Sequence, residues 1–486
     1  MPGSSQLLKS ALPPIWMVSF EPCKVYVALL IVKAGLLRLK YVNALTPSRA
    51  VIGGFELSAP PTGATYAKDM PGFFTEEEEM FRETVREFCM KYIAPKWVEI
   101  DEKAAVDPME VPVDLIKKMG EQGLFCIANS DKYGGQGGTY TMAAIAVDEI
   151  AYADPAVALA VYALLNNGWP AMLEIYGKEE VCQEVIPKVA KGEAFFGIAT
   201  TEPQGGSDIA GIRMTATKKG NVYVFNGEKA YISGVGEAFV KLPWGGGFFL
   251  VARTSESPGT HRGLSAFAFI GRKDGKLRNG ISPTVYHDIG RCGLTTGGFI
   301  CNDVELEDVY LLGEEGKGFY YVMEGFNAAR IVVAAACLGG ARWLLDQAVQ
   351  WFHQRKLFGR PIASFQGINF KFAELYARYE AARYFVYRAA RLFDEVYFKK
   401  NPNFKPQDLN VPVALAKMTA PETAVDIAEE VMKWYGAYAY TKEAPIFRAW
   451  LGLFSYVIGA EGAQNIMRYI IARDTIGAEA VRKWWA

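Results

Sequence analysis

Four places in this 486-residue chain combine residue types that can grip or transform a small molecule. After Thr200 comes Thr201-Glu-Pro-Gln-Gly-Gly-Ser-Asp208. The glycine pair, including Gly206, clears side chains from the backbone, so amide N–H groups and the hydroxyls of Thr201 and Ser207 can approach a flat heterocycle closely. Arg330 in Asn327-Ala-Ala-Arg330 and Arg355 at the head of Arg355-Lys-Leu-Phe-Gly-Arg-Pro-Ile362 each carry a guanidinium. That planar fork of donors suits phosphate recognition. The fourth place runs from Tyr435 to Pro445 and continues to Glu461-Gly462.

Other chemistries are disfavoured. Seven cysteines and three histidines (His261, His287, His353) are dispersed, with no CxxC pair. This spacing suggests neither a disulfide framework nor a metal cage, so no metal is expected. Lys+Arg total 52 against 53 Asp+Glu, a net charge of -1, which argues against a nucleic-acid partner. Small-molecule chemistry is left.

Such residues need a scaffold, and hydrophobic periodicity supplies one. Thr75 followed by Glu78 is a capping-box signature, and Phe81, Val85, Phe88, Cys89 and Tyr92 recur at helical spacing until Pro95. Helices are expected over 113–122, 141–153, 157–175 and 179–190, with the glycine-rich 134–138 as a turn. After Phe196 the period falls to 2. Val222 and Val224 run into Asn226-Gly227, a hairpin-turn signal, and 248–252, 264–270 and 299–306 are further strand candidates. Helix returns at Gly316. It includes 328–354, where a run of small residues permits close packing, then 417–432, delayed or kinked at Pro421, and 460–472. The expected class is α+β: a leader over 1–70, an N-terminal all-α domain over 71–195, a central antiparallel β domain over 196–312, and a C-terminal four-helix-bundle-like all-α domain over 313–486.

The leader differs from the rest. Its apolar stretch, 25–32, is too short for a membrane span, which takes about 20 residues, and no clean cleavage site follows it. No stable membrane span is expected. Basic residues up to Arg49 face a lone acid, Glu21, a balance that suits a transit peptide or a membrane-surface segment; the other reading is a gene start placed too far upstream, with Met70 as the initiator. A cytoplasmic location is expected, with organelle targeting by the leader left open.

Together, the four places resemble the acyl-CoA dehydrogenase family over roughly Phe74 to Arg473. The Thr201–Asp208 segment, with Asn226-Gly-Glu-Lys229 and Tyr231-Ile-Ser233, is similar to the family's TEPxxGSD and NGxKxWIT patterns; Tyr231 replaces the usual Trp and Ser233 the usual Thr. The resemblance implies that Thr200, Thr201, Gly206, Ser207, Tyr231, Ile232 and Ser233 contact FAD, with Ser207 also touching substrate. Asn327 and Arg330 match the Asp-x-x-Arg pattern, with Asn for Asp, and are implied acyl-CoA contacts. Arg355–Ile362 with Phe365-Gln366 is similar to RxxFGxPI…FQ. It implies that Arg355, Phe358 and Gln366 reach FAD across a subunit interface, and hence a homo-oligomer, tetramer or dimer. Tyr435–Pro445 resembles GGxGYxxEYP, keeping Gly436 as a cofactor contact but carrying Ala437 and Ala439 for glycines. Glu461-Gly462 aligns with YEGT, with Ala460 and Ala463 for the Tyr and Thr; Gly462 is an implied substrate contact.

The family draws its base either from that Glu or from the residue before the helix Arg. Here the latter is Ala329, which cannot accept a proton, so Glu461 is the expected base. The implied reaction converts an acyl-CoA to the trans-2-enoyl-CoA, with FAD accepting hydride and an electron-transferring flavoprotein accepting the electrons. An oxygen-using oxidase and a non-catalytic flavin-binding relative are the alternatives. Oxidases of this fold usually carry an extra C-terminal domain.

Overall fold

Among the described residues of the computed structural model, which are 51–52, 55–56, 69, 72–255 and 261–482, Thr75 caps the first helix. The apolar stretch 25–32 and Met70 lie outside the described residues. The chain divides into two units, Met1–Glu56 and Leu57–Ala486. In the first, Val51–Ile52 pairs antiparallel with Phe55–Glu56; all that follows concerns the second.

Helix α1 (Glu76–Tyr92) begins as its sequence requires. The Glu78 N–H donates to Thr75 Oγ1 at 3.2 Å, and the Thr75 N–H donates to the Glu78 carboxylate at 2.8 Å. Both are donors a helix start leaves unpaired. Helices α2 (Trp97–Val106), α3 (Val113–Glu121), α4 (Tyr140–Ala153), α5 (Ala158–Tyr176) and α6 (Glu179–Ala190) follow. Apolar side chains surround α4 and most of α5, and both are buried on nearly every face.

The middle block is a nine-stranded sheet: β1 (Ala194–Ala199), β2 (Thr215–Lys219), β3 (Val222–Ser233), β4 (Gly245–Arg253), β5 (Leu264–Lys273), β6 (Lys276–Leu277), β7 (Ile281–Val285), β8 (Thr296–Glu307) and β9 (Leu311–Leu312). Its order is β9-β5-β4-β2-β3-β8-β7, with β1 on β4 and β6 on β5. Pairing is antiparallel except where β4 meets β1 and, at one residue pair, β2. Strand β1 arrives from α6 rather than through a hairpin, so nothing forces it to run against its neighbour.

One expectation is corrected here. The hairpin turn falls at Gly220-Asn221, between Lys219 and its partner Val222, not at Asn226-Gly227. Asn226-Gly227 lies inside β3, where the register against β8 slips between Cys301 and Val304. Gly227 has φ 138°, and a Cβ there would come 2.8 Å from Met214 Cα. Only glycine permits that conformation and approach, so the dipeptide marks a bulge.

Helix α7 (Gly318–Gln354) starts well before residue 328, so Asn327 and Arg330 lie within it rather than at its head. Its small residues allow the expected close packing: a Cβ on Gly339 would clash with the Asp148 carbonyl of α4. Among the described residues it is the helix long and apolar enough to cross a membrane, and that stretch is buried inside the protein. Helices α8 (Gln366–Phe393), α9 (Asn410–Tyr435), α10 (Ile446–Ile458), α11 (Gln464–Ile476) and α12 (Ala478–Arg482) complete the chain. Pro421 lies inside α9 and does not delay it. The helix expected over 460–472 starts instead at Gln464, because Ala460, Glu461 and Gly462 take φ values of 53°, 58° and 117°.

A buried ion network joins the two helical blocks. Arg342 of α7 lies 2.9 Å from Asp148 and 3.1 Å from Glu149 of α4, and Glu149 also meets Arg86 at 2.8 Å and Arg82 at 3.1 Å. Burial raises the Glu149 pKa, but these guanidiniums outweigh it and hold the carboxyl well below the usual range. Removing one partner of such a network strands the others. Arg342→Met is expected to cost about 3–5 kcal/mol in urea unfolding. Lys103→Ala, which removes an exposed pair with Glu99, should leave the midpoint unchanged. Equal small shifts for both variants would mean the network is dispensable.

Candidate active site

A cavity of about 480 Å³ lies between the sheet, α5, α7 and the loop joining α10 to α11. One wall is polar. Thr200, Thr201, Gly206 and Ser207 reach it from the segment after β1, and Tyr231, Ile232 and Ser233 from the end of β3. Tyr231 adopts φ 57° and is 68% exposed. Facing this wall are Arg330 of α7 and the loop residues Glu461 and Gly462. Val161, Leu164, Leu165, Phe326 and Val333 give the remainder an apolar lining.

The Thr200–Ser207 segment is held from behind by a buried lysine. Lys229 Nζ donates to the carbonyls of Thr200 (3.1 Å) and Val251 (3.0 Å) and to the Glu202 carboxylate (2.9 Å). Glu202 in turn accepts the N–H groups of Arg213 and Met214. Burial pushes the Glu202 carboxyl up, but Lys229 and those amides bring it net below its ordinary value. Burial lowers the Lys229 pKa, and Glu202 opposes this in part.

The opposite loop is held in a similar way. Lys417 of α9 is fully buried, and its Nζ donates to the carbonyls of Tyr456 (2.9 Å), Gly459 (3.0 Å) and Gly462 (2.6 Å). Arg330 Nε donates to the main-chain oxygen of Glu461 at 2.8 Å, and Arg330 Nη1 to Asn327 Oδ1 at 3.3 Å. Glu461 lines the cavity, and its carboxyl is buried. Burial pushes it up to about 7, opposed by Arg330, the nearby Trp169 N–H and Lys417. Trp169 Nε1 is buried without a hydrogen bond of full geometry among the described residues. A carboxyl poised near neutrality in a cleft can accept a proton from a weak carbon acid.

Comparison with known proteins agrees with this geometry. Residues 75–193, 197–304 and 316–476 match, in turn, the N-terminal, middle and C-terminal domains described for acyl-CoA dehydrogenase. An acyl-CoA dehydrogenase of Bacillus subtilis is 35% identical over 411 residues, covering 83% of this chain and 99% of its own. The chain belongs to the acyl-CoA dehydrogenase family. It is an oxidoreductase acting on a CH–CH group. The caffeyl-CoA reductase-Etf complex subunit CarC of Acetobacterium woodii is 30% identical over 82% of this chain and 98% of its own. The structure of butyryl-CoA dehydrogenase from Megasphaera elsdenii superposes with a TM-score of 0.73 at 29% identity, covering 83% of this chain and 99% of that one.

Of the residues singled out by family resemblance, Thr200, Thr201, Gly206, Ser207, Tyr231, Ile232, Ser233, Arg330, Glu461 and Gly462 share this cavity. Asn327 lies behind Arg330, where its side chain joins Arg330 to Asn410. Ala329 is buried in α7 and does not line the cavity. Arg355, Phe358, Gln366 and Gly436 are not brought to it either; all four are exposed on this chain. Three positions were missed by sequence reasoning. Arg291 lines the cavity with φ 62° and donates to Ser233 Oγ and Thr296 Oγ1. Lys229 was visible only as part of a motif, and Lys417 as one more residue of an amphipathic helix. Nothing in composition or spacing tells a buried lysine from an exposed one.

The Glu461 pKa has a consequence for stability. It is raised from an ordinary 4.5 to about 7 in the folded protein, so the folded state binds more protons than the unfolded chain in that window, and stability falls as pH rises through it. Glu461→Gln is therefore expected to be more stable than wild type at pH 8, by roughly 1–3 kcal/mol in urea unfolding, and equal to it near pH 4.5. A difference that does not change with pH would show that the carboxylate titrates as if in water.

Proposed function

We propose that this enzyme binds FAD along the Thr200–Ser233 wall and converts an acyl-CoA to the trans-2-enoyl-CoA, with Glu461 as the α-proton base. Electrons then pass to an electron-transferring flavoprotein. The observation that carries this reading is that Glu461 lines the same cavity as residues of the Thr200–Ser207 and Tyr231–Ser233 segments.

The donor set suits the cofactor. Tyr231 offers an open ring face, and the hydroxyls of Thr200, Ser233 and Thr296 offer hydrogen bonds to the edge of a heterocycle. Gly206 leaves room where a Cβ would come 3.1 Å from Thr201 Oγ1. When bound, FAD supplies an oxidised ring able to accept the β-hydrogen as hydride. Glu461 supplies the other half: near pH 7 it is part ionised and can take the α-proton. Arg330 holds the Glu461 main chain, which leaves the carboxylate itself to the substrate. The apolar lining keeps water from competing for the base.

Arg355, Phe358, Gln366 and Gly436 are proposed to meet the FAD of a second copy in a homo-oligomer. Their exposure supports this: Phe358 is 93% exposed, which is costly for an aromatic ring left in water. A guanidinium such as Arg355 also suits a diphosphate. Kinship with a subunit of a reductase-Etf complex supports an electron-transferring flavoprotein as acceptor.

The test is anaerobic titration of the purified flavoprotein with a panel of acyl-CoA thioesters, following flavin absorbance. At least one should bleach the wild type. Glu461→Gln should retain FAD yet bleach about 10³-fold more slowly. Unimpaired bleaching in that variant removes Glu461 from the reaction; a wild type that no acyl-CoA reduces ends the dehydrogenation reading.

A further inference from the structure

We propose that Lys417 is the positioning residue that keeps Glu461 in the cavity, and that its ammonium form sets the alkaline limit of proton abstraction. This rests on Glu461 being the base.

The geometry comes first. From α9, the Lys417 Nζ reaches the Tyr456 carbonyl in α10, the Gly459 and Gly462 carbonyls of the loop, and Gln464 Oε1 (3.3 Å) at the start of α11. One nitrogen thus spans the whole segment that presents Glu461. That segment cannot hold its shape through helical hydrogen bonds. Ala460 and Glu461 both take left-handed φ, which non-glycine residues adopt only when their surroundings enforce it. Among the described residues, the other side-chain bond to the loop backbone, beyond those of Lys417, is that of Arg330 to the Glu461 oxygen.

An ammonium has three N–H donors, and here four acceptors lie within reach, so every donor is used. A neutral amine keeps two and turns a lone pair toward an oxygen. Losing the proton must therefore loosen the hold on this set of four acceptors, which includes the loop carbonyls of Gly459 and Gly462. Among the described residues, no carboxylate is hydrogen-bonded to Lys417. Burial pushes its pKa down to about 8; Cys337 of α7, Glu461 and Glu422 favour the charged form, and Arg330 opposes it. Lys229 differs in holding an ion pair with Glu202, and it faces the other wall. Glu461 must be ionised and Lys417 protonated, so the working window opens near pH 7 and closes near pH 8.

The experiment uses the full-length holoprotein with Lys417→Met and Lys417→Arg. Single-turnover flavin reduction by an accepted acyl-CoA is followed from pH 6 to 10. Amide hydrogen exchange of a peptide spanning 456–466 is measured at pH 7 without substrate. Wild-type reduction should fall about tenfold per pH unit on the alkaline side. Lys417→Met should reduce flavin at least about 100-fold more slowly at pH 7.5, with substrate affinity changed less than about threefold. It should exchange 456–466 at least about tenfold faster while 199–209 stays protected. Lys417→Arg, which keeps the charge, should shift the alkaline limb beyond pH 10. A wild-type rate flat to pH 10, or an alkaline limb unmoved in Lys417→Arg, overturns the proposal even if Lys417→Met fails to fold. Should no acyl-CoA reduce the wild-type flavin, the dehydrogenase reading fails, and the exchange measurement still decides whether Lys417 holds the loop.

Discussion

A carbonyl turned away from water must find a donor, and each of the two irregular segments around this cavity turns at least one inward. Each converges on a lysine. Lys229 gathers Thr200, Val251 and Glu202; Lys417 gathers Tyr456, Gly459 and Gly462. A compact ammonium with three tetrahedrally spread donors matches converging oxygens better than a flat guanidinium does. The two cages let backbone without ladder or helix bonds stand rigidly on either side of a reacting molecule. Helices and sheet bring the walls together, but these ammonium groups give the walls their form.

The division of labour between Arg330 and Glu461 follows from the same arrangement. Had the guanidinium bonded the carboxylate, the pair would have neutralised itself and the acid would have become a weak base. Instead Arg330 grips the peptide oxygen of Glu461, at 2.8 Å, and its charge acts on the carboxylate only through space. Burial then dominates, and the carboxyl stays near neutrality. Orientation and basicity are set by different contacts, so one can be tuned without the other.

Much of the architecture was legible because it follows local rules. The Thr75–Glu78 cap, the period change near Phe196 and the small residues of α7 each led to the observed element. The errors share a cause: tertiary contacts overrode local preference. Asn226-Gly227 has the backbone freedom of a turn, yet packing against Met214 and pairing with β8 spend that freedom on a bulge. The apolar spacing over 460–472 reads as helix, but a left-handed kink at Ala460 and Glu461, imposed by contacts from α9 and α7, breaks it. Ten of the site residues carried by motif resemblance line one cavity, while Asn327, Arg355, Phe358, Gln366 and Gly436 do not. Those whose role is to hold backbone from behind left no periodic trace.

Helix α7 also imposes a metric constraint. It runs unbroken from Gly318 to Gln354, with Arg330 partway along and Arg355 as the residue that caps its end. At a rise of 1.5 Å per residue, those two cations stand about 37 Å apart on a stiff rod. The helix therefore acts as a ruler. Inserting or deleting one residue between them would swing one end by about 100° relative to the other and misalign the two guanidinium groups. Length changes in this family member should accumulate in connections such as the one between α8 and α9, and α7 should keep its count.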